Sequence, residues 1–152
     1  MEHTDTLAAL SDGMADAVEN IAASVVRVNG RRRRSGSGVV FAQNKVLTAS
    51  HVLEREEDLS VETADGRTLT ARFAGRDHST DLAVLDVEGL DVEPATHAEG
   101  EARVGQISLA VGSHSRGEGP RATLGVVSTV GGPVRTRRGL RLERYIQTDA
   151  TP

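Results

Sequence analysis

The stretch Ser35–Val52, SGSGVVFAQNKVLTASHV, decides how the rest of the chain is read. It holds two short apolar runs, Gly36 to Ala42 and Lys45 to Thr48, on either side of Gln43-Asn44. Runs of that length joined by a tight polar pair predict two antiparallel strands. His51 stands just beyond the second run, after Thr48-Ala49. A histidine there sits at the rim of a barrel, with its backbone held by the strand and its imidazole able to face a cleft. A general base has those needs: one ring nitrogen free to take a proton, the other pinned by an acceptor.

Downstream, the candidate acceptor is Asp81 in Ser79-Thr80-Asp81-Leu82-Ala83-Val84-Leu85, at the mouth of another apolar strand. Asp77 is its local rival. It lies farther from that strand and reads better as a turn residue bonding its own backbone, so Asp81 is preferred. Around these residues the period of the pattern is two. Ser24 to Val28, Leu59 to Thr63, Thr68 to Phe73 and Leu82 to Val87 are further strand candidates, the middle two flanking the hairpin signal Asp65-Gly66. With the first pair this makes about six short strands, enough to close one small antiparallel barrel.

Upstream, the period is different. Leu10, Met14, Val18 and Ile21 recur at steps of three and four, predicting an amphipathic helix that ends near Ala23. Glu88 to Ala102 is acidic, contains Pro94 and has no sustained period, so it reads as a connection. Ile107 to Val111, Ala122 to Val130 and Leu140 to Thr148 then predict three more strands between Gly- and Pro-rich turns. Three strands do not close a barrel. The expected fold is all-β, with a helix over 1–23, a complete first barrel lobe over 24–93 and a partial second lobe over 94–152.

Composition narrows the chemistry. Of 152 residues 38% are hydrophobic and only three are aromatic, so the core must be aliphatic. No cysteine is present, which excludes disulfides, thiolate ligands and cysteine nucleophiles from this chain. A net charge of -4 argues against nucleic acid or an anionic membrane as partner. The run Arg31 to Arg34 suggests a nucleic-acid or polyanion contact, but with no aromatic residue interleaved in an acidic chain it reads better as a solvated loop, with an oligomer contact as a lesser reading. His3, His78, His97 and His114 sit in polar loops without carboxylates at metal spacing, so no metal and no cofactor is expected. No signal peptide or membrane-length apolar run is visible, which places the chain in the cytoplasm as given and in the periplasm if a leader or anchor is removed.

Six segments in order, GSGVVF, VLTASHV, STDLAVLDV, VGQISLAVGS, LGVVSTV and YIQTDATP, resemble the trypsin-like domain of HtrA/Deg serine proteases from about Val18 onward. The resemblance implies a chymotrypsin-like double β-barrel with the active site between the lobes, His51 as general base and Asp81 as its orienting carboxylate. It also implies a serine-type endopeptidase acting on unfolded or extended polypeptide, trimers, and a downstream PDZ domain. In the family a Gly-x-Ser-Gly-Gly segment holding the nucleophile follows the QTDA motif. These 152 residues end at Gln147-Thr148-Asp149-Ala150-Thr151-Pro152, and none of Ser108, Ser113, Ser115 or Ser128 has that context. The 152-residue chain alone is therefore expected to be inactive, as a protease fragment lacking its serine. The alternative is a non-catalytic binding module on a protease-like barrel.

Overall fold

The computed structural model describes residues 5–32, 34–113, 118–137, 139 and 141–151. Helix α1 (Thr6–Ala22) starts at Asp5, whose carboxylate accepts from the amides of Leu7 and Ala8 at 3.1 and 3.3 Å. That cap satisfies two of the orphan donors of a helix N-terminus. The predicted apolar face is only partly used: Met14, Val18 and Ile21 are half-buried and Leu10 is exposed.

Six strands then close a barrel in the order β1-β2-β3-β6-β5-β4. They are β1 (Val25–Asn29), β2 (Gly36–Ala42), β3 (Lys45–Ala49), β4 (Leu59–Glu62), β5 (Thr68–Asp77) and β6 (Leu82–Asp86). The tight turns fall where the sequence predicts them, with Asn44 and Gly66 in the left-handed region at φ 56° and 88°. Inside, alternate positions supply the aliphatic core: Val26, Val28, Val40, Val46, Val61 and Leu85 have no exposed surface. The barrel is narrow enough that a Cβ on Gly38 would stand 2.7 Å from a Val46 methyl and 2.9 Å from one of Val28.

Strand β5 runs four residues beyond the predicted Phe73. A bulge between Phe73 and Gly75 re-registers it against β6, so that Asp77 pairs with Leu82. The acidic connection is also less free than its composition suggests. Leu90 is fully buried under the barrel, Arg67 donates to the Leu90 carbonyl at 2.8 Å, and Ala95 donates its amide to Val40 at 2.8 Å. Polar side chains and strand edges thus tie down a segment that has no period of its own.

The second half holds a three-stranded sheet, order β11-β8-β7, made of β7 (Ile107–Gly112), β8 (Arg121–Gly131) and β11 (Tyr145–Thr148). The third predicted strand, Leu140 to Thr148, is not continuous. Arg141–Leu142 forms β10, which pairs with β9 (Val134–Arg135), and Leu140 lies outside the described residues. The break comes at Glu143-Arg144, where the backbone packs on Gly132: a Cβ on Gly132 would stand 2.0 Å from the Glu143 carbonyl oxygen. No local period reports such a contact. The barrel holds most of the core, whereas Ile107, Leu124, Val126, Val130 and Ile146 of the second sheet remain exposed.

Candidate active site

The pairing of β3 with β6 builds the site. Ala49 lies opposite Leu82, so the next residues outward, Ser50 and Asp81, meet at the barrel rim. The Ser50 amide donates to the Asp81 carbonyl at 2.7 Å. After Ser50 the chain makes a single 3-10 turn, Ser50–Val52, which carries His51. Asp81 closes the arrangement: its Oδ1 accepts the His51 amide at 3.0 Å and its Oδ2 lies 2.6 Å from His51 Nδ1.

Asp81 has φ 58°, in the left-handed region. That conformation costs an L-residue about 1–2 kcal/mol, least for Asp and Asn, and here it aims the carboxylate back across the turn. An ionised carboxylate can only accept, so the facing Nδ1 carries the hydrogen and Nε2 of the neutral ring keeps its lone pair. The His51 side chain is 66% exposed and that of Asp81 40%, so the pair sits at the surface of the rim. Behind the turn, Val52 is buried against Gly36, where a Cβ would meet both Val52 methyls at 2.6 Å. The Gly-Ser-Gly of the deciding stretch is thus a packing requirement: one glycine admits the turn and the other fits the barrel interior.

Asp77 is spent locally. Its Oδ1 accepts from the Ser79 amide at 2.8 Å and the Ser79 hydroxyl at 2.6 Å, and Thr80 donates to Oδ2 at 3.1 Å. The bonds from Ser79, with Thr80 adding to them, hold its carboxyl below the usual aspartate range.

Between the two halves, the Ser113 amide donates to Ser37 Oγ at 2.8 Å. Beside this tie is an apolar groove of about 300 Å³ lined by Val39, Leu47, Ala49, Leu82 and Val111, in line with the rim residues of the pair. Ser108 accepts from the Thr148 hydroxyl at 2.9 Å and Ser128 lies 3.5 Å from the Val126 carbonyl. Ser115, His3 and His114 lie outside the described residues; His78 and His97 are exposed. Among the described residues no cluster of three or more His, Asp or Glu is placed to hold a metal ion, and no helix is long and apolar enough to cross a membrane.

Two further contributions come from contacts between segments distant in the chain. Asp149 accepts the Val126 amide at 2.7 Å, and Gly125 lets the segment dock, since a Cβ there would stand 2.3 Å from the Ala150 nitrogen. Arg31, read above as part of a solvated loop, instead turns inward and donates from Nη2 to the His51 carbonyl.

The sequence profile of the trypsin-like peptidase domain matches residues 36–152. A periplasmic pH-dependent serine endoprotease, DegQ of Escherichia coli K12, is 37% identical over 123 residues, covering 76% of this chain and 26% of that protein. The periplasmic serine endoprotease DegP of Salmonella typhimurium is 34% identical over 122 residues, again 76% of this chain and 24% of the relative. The crystal structure of a serine endoprotease from Yersinia pestis superposes with a TM-score of 0.69 at 31% identity, over 77% of this chain and 44% of that one. The chain therefore spans about a quarter of the length of these curated relatives. With the closed barrel, the rim pair and a profile match over most of its length, the chain belongs to the trypsin-like peptidase domain family, and within it resembles the HtrA/Deg serine endoproteases.

Proposed function

We propose that the protein to which these residues belong is a serine endopeptidase that cleaves extended or unfolded polypeptide by acyl transfer. His51 is its general base and Asp81 the carboxylate that orients it. The observation that carries the reading is the double engagement of His51 by Asp81, at the amide and at Nδ1. Such a carboxylate holds the ring in the tautomer that leaves Nε2 available, and it stabilises the imidazolium that forms.

As a serine Oγ attacks the scissile carbonyl carbon, its proton passes to His51 Nε2. The imidazolium then gives that proton to the leaving amine as the C–N bond breaks, and water repeats the sequence to release the acyl group. The serine belongs to a Gly-x-Ser-Gly-Gly segment after Asp149-Ala150, and the substrate binds along the space between the lobes. Division into a helix over 1–23, a barrel lobe over 24–93 and a second lobe over 94–152 suits that arrangement. By likeness to relatives named periplasmic serine endoproteases, the protein works outside the cytoplasm on polypeptide substrates; assembly as a homo-oligomer is carried by the family resemblance alone.

The test is turnover of an unfolded protein substrate by a chain extended through a Gly-x-Ser-Gly-Gly segment. His51→Ala should lower kcat by several powers of ten, because base and nucleophile act as a unit. Full activity in His51→Ala would remove His51 from the mechanism.

A further inference from the structure

The turn that carries His51 supplies no donor of its own to the His51 carbonyl. Ser50 O accepts from the Leu53 amide at 3.1 Å, the three-residue step of a 3-10 turn. One step further, the Glu54 amide would reach His51 O, but it donates at 3.1 Å to Gly30 O instead. A 3-10 turn that stops after one bond strands its next acceptor. Arg31 Nη2 supplies the missing donor.

The guanidinium is placed to stay there. Its Nε lies 3.6 Å from a Glu54 carboxylate oxygen, and the side chain is only 26% exposed. The preceding residue is a glycine because the loop lies flat on the turn: a Cβ on Gly30 would stand 2.7 Å from Leu53 Cδ2 and 3.0 Å from Val52 O. His51 is thereby held at both polar ends of its backbone, the amide by the Asp81 carboxylate and the carbonyl by the Arg31 guanidinium. Hydrogen bonds to charged groups are roughly twice as strong as neutral ones.

We propose that Arg31 is a positioning residue for the reaction, fixing the His51 backbone so that Nδ1 stays on Asp81 and Nε2 on the cleft. This inference rests on the reading of His51 as general base. A second guanidinium supplies the contrast. Arg76 lies 3.5 Å from the Leu53 carbonyl and 3.1 Å from Glu56, two residues or more past His51. It braces the same loop without touching the histidine's own peptide groups.

The experiment uses the 152-residue chain with ¹⁵N-labelled histidine, following the ring nitrogens between about pH 5 and pH 8 together with exchange of the His51 amide. In Arg31→Met that amide should exchange about tenfold faster, the effect of slackening one charge-assisted hydrogen bond, and the Nδ1–H tautomer should lose population. Arg31→Lys should restore part of both signals. Arg32→Met and Arg76→Met should leave both unchanged, even where Arg76→Met lowers overall stability. Unmoved His51 signals in Arg31→Met, or an equal disturbance in Arg76→Met, would overturn the proposal. If Arg31→Met does not fold, Glu54→Gln replaces it: a smaller disturbance in the same direction supports the proposal and none overturns it. A wild-type chain without the Nδ1–H tautomer would instead refute the general-base reading itself.

Discussion

Gly36→Ala should damage the site through packing alone. The Cβ that alanine adds would stand 2.6 Å from both methyl carbons of Val52 and 3.2 Å from its Cβ. Carbon atoms rest at about 3.5–4.0 Å, so Val52 must retreat by roughly 1 Å. The backbone at Gly36 is not left-handed, so no positive-φ strain adds to the clash. Val52 is β-branched and buried, with little freedom to change rotamer, and the turn beneath His51 must move. Overpacking of this kind costs about 1–3 kcal/mol, a large part of a typical domain stability of roughly 5–15 kcal/mol. Val52→Ala alone leaves a gap and should cost about 1–3 kcal/mol. The alanine methyl of Gly36→Ala would enter that gap, so the double variant should be less damaged than the sum of the two, with a coupling of about 1–2 kcal/mol. Urea unfolding of the four chains, followed by circular dichroism, measures the cycle. Strict additivity, or a Gly36→Ala chain of wild-type stability, would refute the packing argument.

Other outcomes follow from the same geometry. In the serine-bearing extended chain, Asp81→Asn should cost orders of magnitude in kcat by favouring the wrong imidazole tautomer, whereas Asp77→Asn should act only through stability; a larger kinetic loss for Asp77→Asn would reverse the assignment of the carboxylate. The hydrogen bond from Lys45, with Arg72 paired beside it, holds the Asp86 carboxyl below the usual aspartate range. A depressed folded-state value stabilises the fold above about pH 4 and ceases to as pH falls through it, so Asp86→Asn should weaken the chain at pH 7, with the gap closing below about pH 3.8; an equal gap at pH 7 and pH 2 would contradict this. In hydrogen exchange, amides of β1 to β6 should be slower than those of β7, β8 and β11, whose apolar residues remain exposed. Uniformly slow exchange from Val104 to Gln147 would mean that the second sheet is covered in solution.

What could be read without coordinates was whatever repeats or punctuates locally. The 3.6 and 2.0 periods mark α1 and the six barrel strands, because each element must present one face to a core. Asn44 and Asp65-Gly66 mark turns, because few residues tolerate what those turns demand. His51 and Asp81 stood out by their places at strand ends. The tertiary structure decided what depends on atoms far apart in the chain. The Ala49–Leu82 register brings residues 30 apart within 2.6 Å. Strand β5 continues past its bulge to pair Asp77 with Leu82, and the Asp77 carboxylate is taken up by Ser79 and Thr80. The Gly132 corner splits the last predicted strand. Arg31 is the clearest case, because in the sequence it is one of four consecutive arginines. Only closure of β1 on β2, with Gly30 laid against Leu53, sets its guanidinium on the His51 carbonyl, to which the turn itself supplies no donor.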